Sequence, residues 1–298
     1  MLPSRPEGFP GLPASFDSQW VSCAVPGGSA LSLFVSRFVK QGPLVRPRVL
    51  FVLHGQGEHG GRYQHFPAFL EDSIDAVICM DHRGHGRSPG VRGHVDRFDQ
   101  YVNDAAAVLQ ATLASFESPR VHLFGHSMGG LILLLLLQEK LEWPLLASAT
   151  FSAPLLELKH SVPALKQLSA HLLSRVLGGL QLETGLDARL ISHDEAVVRA
   201  YQSDQLVHSK ATVRFFTEMV EASKRARKLN SGIRLPTFWI VPMQDQVVSA
   251  AETLRFYEDL KSPDKKLVKY EGFFHESFNE IDKLRAFGDL SQWIREHP

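Results

Sequence analysis

The feature that most restricts this chain is an abrupt change of periodicity around residue 127. Val121 to Phe124 is a short apolar run, Leu131 to Leu137 is an unbroken aliphatic one, and Gly125-His126-Ser127-Met128-Gly129 joins them. A strand that turns at once into a helix holds the middle residue of the junction in a strained backbone geometry. The residues two before and two after it approach neighbouring chain too closely for a large side chain, and glycine fits both places. The turn leaves Ser127 at a helix N-terminus, where unpaired N–H groups and the positive end of the helix dipole favour a developing anion. Ser127 is the candidate nucleophile, and the Met128 N–H is the first candidate oxyanion donor.

The remaining pattern supplies a body for that turn. Val21 to Val25 and Leu31 to Phe38 flank Pro26-Gly27-Gly28 and read as two antiparallel strands joined by a hairpin. Val49 to Leu53, Ala76 to Met80 and Ala147 to Phe151 are apolar runs of the kind required by strands buried on both faces. Thr237 to Val241 and Lys266 to Tyr270 predict two late strands, and Ala251 to Leu260 and Ile281 to Glu296 predict amphipathic helices. Alternating strands and helices imply an α/β fold with a mostly parallel central sheet flanked by helices. From Leu155 to Gly232 strand signals vanish, while Val162, Leu165, Leu168, Leu172, Val176 and Leu180 recur at helical spacing. The expected division is an extended arm over 1–19, core over 20–154, a helical insertion over 155–232, and core again over 233–298.

Composition narrows the function classes. Hydrophobic residues make up 44% of the 298 and charged residues 21%, which is enough apolar surface for one catalytic body with an insertion. Lys plus Arg and Asp plus Glu each total 32, so no global field draws the chain to nucleic acid or to an anionic membrane. Lys224, Arg225, Arg227 and Lys228 form a local basic cluster, read as a solvated helix face in preference to an anionic-lipid contact. Cys23 and Cys79 make no staple framework, the start lacks a secretory pattern, and the longest aliphatic run falls far short of the roughly 20 residues that span a bilayer. Reduced thiols and a cytoplasmic setting, peripheral to membrane at most, are expected.

A serine needs a base to take its proton and a carboxylate to orient that base. On a strand-to-helix elbow of this kind the chain order is Ser, acid, His. Of the fourteen histidines, only His275 and the terminal His297 follow the insertion, and His275 lies in a glycine-containing loop just after the strand ending at Tyr270. Asp245 follows the strand ending at Val241, at the edge where a parallel sheet presents its functional loops; Asp259 and Asp264 are worse placed. The plain alternative for Asp245 is a turn or helix-capping aspartate ahead of Val247, and for His275 an ordinary loop histidine. His54-Gly55-Gln56-Gly57 follows an early strand, which makes the Gln56 N–H the second candidate oxyanion donor.

Two rival readings share that loop. Gly55 to Gly60 also fits G-x-G-x-x-G, with Asp81 at the end of a later strand, but helical residues do not obviously begin until near Arg62. His54, His59, His82 and His85 match no standard metal-ligand spacing and are read as loop scaffolding, as is His126 within the elbow. No cofactor and no metal are called for.

Longer motifs carry a family resemblance. His54-Gly55-Gln56-Gly57-Glu58-His59 with Gly61-Arg62-Tyr63, Asp81 to Ser88, Arg92-Gly93-His94-Val95, Gly125 to Gly130, Tyr201 to Asp204 and Glu271 to His275 resemble the monoacylglycerol lipase and lysophospholipase branch of the α/β-hydrolases. The resemblance spans nearly the whole chain past the N-terminal arm. It implies Ser127 as nucleophile, Asp245 as acid, His275 as base, Gln56 and Met128 as oxyanion donors, and the insertion as a cap offering apolar residues to an acyl chain. The acid loop, Val241 to Asp245, lacks the glycine that similar proteins often place before the aspartate, and the cap matches no close pattern.

The expected function is hydrolysis of a single-chain lipid ester, a monoacylglycerol or lysophospholipid, through an acyl-enzyme. Membrane-surface contact is expected only transiently and through the cap. The competing readings are a peptidase or thioesterase on the same triad, and a non-catalytic binding protein on a hydrolase scaffold.

Overall fold

The computed structural model describes residues 16–23, 30–139, 145–160, 173–228 and 233–298. Its strands are β1 (Phe16–Cys23), β2 (Leu31–Val39), β3 (Arg48–Leu53), β4 (Ala76–Met80), β5 (Arg120–His126), β6 (Leu146–Ser152), β7 (Gln181–Glu183), β8 (Lys210–Thr212), β9 (Thr237–Pro242) and β10 (Lys265–Tyr270). Eight of them form one sheet in the order β1-β2-β4-β3-β5-β6-β9-β10, and β7 pairs with β8 apart from it. β1 and β2 run antiparallel to their neighbours; every pairing from β4 through β10 is parallel.

Helices cover both faces, as a parallel sheet requires. They are α1 (Phe66–Leu70), α2 (Asp99–Leu113), α3 (Met128–Glu139), α4 (Glu195–Ser203), α5 (Val213–Lys228), α6 (Ala250–Asp259) and α7 (Lys283–Glu296). Alternation along β3 divides the core: Val49, Phe51 and Leu53 face a cluster with residues of α2, α3, α5 and α6, while Leu50 and Val52 face one with residues of α1 and α7. Leu131 to Leu137 of α3 are buried all round the helix, because α2 and α5 cover the side turned away from the sheet.

Two boundaries differ from the sequence reading. Phe16 to Gln19, assigned to the arm, pair with Phe38 to Val35 and belong to β1; burial on an edge strand is one-sided, and Trp20 there is left 58% exposed. The insertion is not wholly helical, since β7 and β8 pair as Gln181 with Thr212 and Glu183 with Lys210. Pro26-Gly27-Gly28 and Val162, Leu165, Leu168 and Leu172 lie outside the described residues. Val176 and Leu180, the described end of that spacing, are exposed.

The glycines of the motifs mark where the insertion meets the body. At Gly57, with φ +79°, a Cβ would fall 2.5 Å from the His208 carbonyl, and at Gly93, with φ +62°, 2.0 Å from the Lys210 carbonyl. His208 N–H donates to Gly57 O at 2.8 Å and Thr212 N–H to Gly93 O at 2.8 Å, so residues 208–212 lie flat on both loops.

Candidate active site

The turn between β5 and α3 has the expected strain. Ser127 adopts φ +52°, a left-handed conformation that costs an L-residue on the order of 1–3 kcal/mol. Its N–H donates to Ser152 O at 3.0 Å, and its carbonyl accepts from Leu155 and Leu131 N–H at 2.9 and 3.2 Å, which fixes the strained residue from both sides. A Cβ on Gly125 would sit 2.6 Å from Gly129 O, and one on Gly129 would sit 2.0 Å from Leu53 O. Close approach therefore requires glycine at both places.

Asp245 and His275 meet across two loops. Asp245 Oδ2 is 2.7 Å from His275 Nδ1, while its Oδ1 accepts Val247 and Val248 N–H at 2.7 and 3.0 Å. The carboxylate is thus both the turn residue and the partner of the imidazole. The loops are joined by Met243 N–H to Tyr270 O at 3.0 Å and Gln244 N–H to Phe273 O at 3.1 Å. Burial works to lower the His275 pKa, but the charge and hydrogen bond of Asp245, with the charges of Glu276 and Glu58, outweigh it and leave the value raised. His126, whose ring centroid lies 4.6 Å from that of His275, is pushed down to about 3 by burial and by His275, and so stays neutral.

The loop after β3 lies against the serine: a Cβ on Gly55 would approach Ser127 Cβ to 3.3 Å. Glu58 Oε1 holds this loop by accepting Gly55 N–H at 2.6 Å and the Tyr63 hydroxyl at 2.8 Å. The Gln56 side chain donates to Lys210 O at 3.1 Å, turning away from the serine. Among the described residues, neither the Gln56 nor the Met128 N–H is taken by another protein group. Sequence reasoning gave no role to Arg62 or Glu276, which are ion-paired with each other across 214 positions of chain. Arg62 stood inside a matched motif, and Glu276 stood only next to one, directly after His275.

The histidine-rich loops are scaffolding. His82 N–H donates to His54 Nε2, and His82 Nε2 and His54 O are 3.0 Å apart; His59 Nε2 is 2.8 Å from Asp204 Oδ2 of the insertion. Asp81 accepts Gly60 and Arg87 N–H, both at 2.8 Å, and clasps the loop. Behind Gly55 to Gly57 the chain makes a 3-10 turn at Gly60–Tyr63 rather than opening a long helix, unlike a dinucleotide-binding turn.

Ser127, His275, His126, Gln56 and Glu58 share a cavity of about 490 Å³. Its other walls are largely apolar, with Leu155 and Leu158 leading into the insertion and Leu186, Ile191, Phe215 and Met219 coming from it. The hydroxyl of Ser127 and the ring of His275 are not hydrogen-bonded to each other; such bonds commonly tighten only when substrate is in place. A hydroxyl, a carboxylate-paired imidazole and the loop carrying the Gln56 amide line one apolar cavity, with the unpaired Met128 amide next in sequence to the serine, and acyl transfer calls for groups of these kinds.

Known proteins resemble the chain over most of its length. The family described as serine aminopeptidase, S33, matches residues 46–282. The chain is 32% identical over 258 residues to an uncharacterized abhydrolase domain-containing protein of Dictyostelium discoideum, covering 85% of this chain but only 27% of that protein's length. It is 30% identical over 259 residues to the monoacylglycerol lipase of Mycolicibacterium smegmatis, covering 86% of this chain and 91% of that one. The crystal structure of a monoacylglycerol lipase from Paleococcus ferrophilus superposes with a TM-score of 0.78 at 27% identity, covering 89% of this chain and 99% of the other.

Proposed function

Since the chain belongs to the serine aminopeptidase S33 family, in the monoacylglycerol lipase and lysophospholipase branch of the α/β-hydrolases, and is a serine ester hydrolase, we propose that it cleaves single-chain lipid esters with Ser127, His275 and Asp245 as its triad. The observation that carries the reading is the apolar cavity of about 490 Å³ shared by the serine hydroxyl and the aspartate-paired imidazole. Its volume and lining suit one acyl chain. The insertion acts as the cap, and of its described residues Leu186, Leu190, Phe215 and Phe216 shelter that chain.

In this reading Ser127 Oγ attacks the ester carbonyl while His275 removes its proton through Nε2, the nitrogen left free by Asp245. The Gln56 and Met128 N–H groups hold the oxyanion. His275 then protonates the departing alcohol, and water, deprotonated by the same ring, releases the fatty acid. Asp245 stabilises the imidazolium and fixes its tautomer. No metal and no cofactor has a part in these steps. A monoacylglycerol or a lysophospholipid fits the same chemistry, and the relative from Mycolicibacterium smegmatis bears the first name.

The test is a hydrolysis panel on wild type and Ser127→Ala, spanning long-chain monoacylglycerols, lysophospholipids, short water-soluble esters, thioesters and aminoacyl amides. Long-chain monoesters are expected to lead, and Ser127→Ala to lose on the order of 10⁶-fold in kcat. A wide lead for amides or for short esters would contradict the substrate assignment.

A further inference from the structure

Beside His275 and behind the oxyanion loop lies a buried ionic cluster to which ester cleavage as described assigns no task. Arg62 Nη1 donates to Glu58 Oε2 at 2.7 Å and to Glu276 Oε1 at 2.5 Å, and its Nη2 donates to Glu276 Oε2 at 2.7 Å. The side chains of Arg62, Glu58 and Glu276 are only 10%, 4% and 7% exposed, so all three charges are largely desolvated. A buried cluster of this kind is weak evidence for stability, since apolar residues of equal volume often serve as well or better. Its connections are more informative.

Each carboxylate anchors a different part of the site. Glu58 Oε1 holds Gly55 N–H at 2.6 Å, next to the Gln56 amide. Glu276 follows His275 directly, and its Oε2 also accepts the Asn279 side-chain amide at 2.8 Å. The insertion closes on the same group: the Arg62 guanidinium lies 4.7 Å from the Tyr201 ring centroid, and Glu276 N–H donates to Ile191 O at 2.9 Å. One guanidinium therefore ties the loop of the oxyanion amide to the loop of the imidazole.

We infer that Arg62 is a positioning residue for the reaction, setting through Glu58 and Glu276 the spacing between the Gln56 amide and the His275 ring. The inference rests on the triad reading above. Oxyanion donors must stand within about 2.7–3.1 Å of the forming anion, and a displacement of about 1 Å at a reacting centre costs about 100-fold. The cluster also shapes the charge around His275, which is faced by Asp245, Glu276, Glu58, Arg62 and the neutral His126. Two carboxylates to one guanidinium leave a net negative charge there, which favours the imidazolium.

The experiment compares wild type with Arg62→Lys and Glu276→Gln in the full chain, using a long-chain monoacylglycerol and a fluorophosphonate probe. Lysine keeps the charge but not the planar fork. Arg62→Lys is expected to lower kcat by about 10- to 100-fold and to slow labelling of Ser127 in parallel, with KM changed less than about threefold. Glu276→Gln is expected to move the acid limb of the kcat/KM profile to lower pH, a change that a purely structural residue would not cause. Folded variants with wild-type kcat and an unmoved acid limb would overturn the inference, as would loss of folding in both, which would make the cluster scaffold. If only one variant folds, its own readout decides. Failure of the triad reading looks different, because wild-type protein itself would then not be labelled at Ser127.

Discussion

Ser127 is held in its strained turn by neighbours that tolerate no side chain at Gly125 or Gly129, so the elbow can be tested away from the hydroxyl. Gly129→Ala would drive a Cβ to 2.0 Å from Leu53 O. It is expected to lower stability by about 1–3 kcal/mol by denaturant titration and to cost activity as well, because the displaced chain carries the Met128 amide. Asp245→Asn separates the two tasks of that residue, since an amide oxygen can still accept Val247 and Val248 N–H but bears no charge. The expected result is a loss in kcat on the order of 10⁴-fold with the fold retained, measured by steady-state kinetics beside circular dichroism. The pH signs run in opposite directions for this pair. Because the His275 pKa is raised in the folded chain, its contribution to stability is full below the ordinary histidine range and fades as pH rises through the raised value. The proposed mechanism needs the neutral ring, so activity is expected to grow over that same rise. The sequence alone set two readings of Asp245 against each other, turn residue or acid of a triad, and the geometry is compatible with both because its two oxygens face different neighbours. Arg62 was legible only as a motif letter and Glu276 only as the neighbour of His275, since nothing local to either residue announces a partner 214 positions away.

At the scale of elements, legibility followed burial. Val49 to Leu53 and Ala76 to Met80 are buried on both faces of the sheet, and continuous apolar runs announce such strands. β1 was read too short because Phe16 to Gln19 sit on an edge where polar residues face outward. β7 and β8 escaped because three residues as polar as Gln181-Leu182-Glu183 show no period, and their pairing joins distant segments. Gly93 is where β8 meets the body, and Gly93→Ala would place a Cβ 2.0 Å from Lys210 O on a backbone of φ +62°. Ala211 and Thr212 line the cavity, so this variant should raise KM more than it lowers kcat, besides reducing the thermal midpoint; an unchanged KM would contradict that role for the contact. Arg83 and Asp104 form a buried two-pronged pair at 2.6 and 2.7 Å between the loop after β4 and α2. Asp104→Ala would strand the guanidinium and is expected to cost about 3–5 kcal/mol of unfolding free energy.

For the whole molecule, one cavity is lined both by described residues of the 155–232 stretch and by residues on either side of it. Much of the basic cluster near the end of α5 is ion-paired: Arg225 pairs with Asp99 of α2, Arg227 with Glu252 of α6, and Lys224 with Glu221 of its own helix. Partly exposed pairs of this kind are worth about 0–1 kcal/mol each, so Arg225→Ala should shift stability little, and a large loss on denaturant titration would contradict that. No helix among the described residues is long and apolar enough to cross a membrane. In the proposed mechanism the strained serine facing this cavity attacks the substrate, and everything else depends on that step. It is tested most directly by treating the intact chain with a fluorophosphonate and mapping the modified peptide by mass spectrometry. One adduct is expected, on Ser127, forming in step with the loss of long-chain monoacylglycerol hydrolysis. An adduct elsewhere, or full hydrolysis by protein quantitatively modified at Ser127, would contradict it.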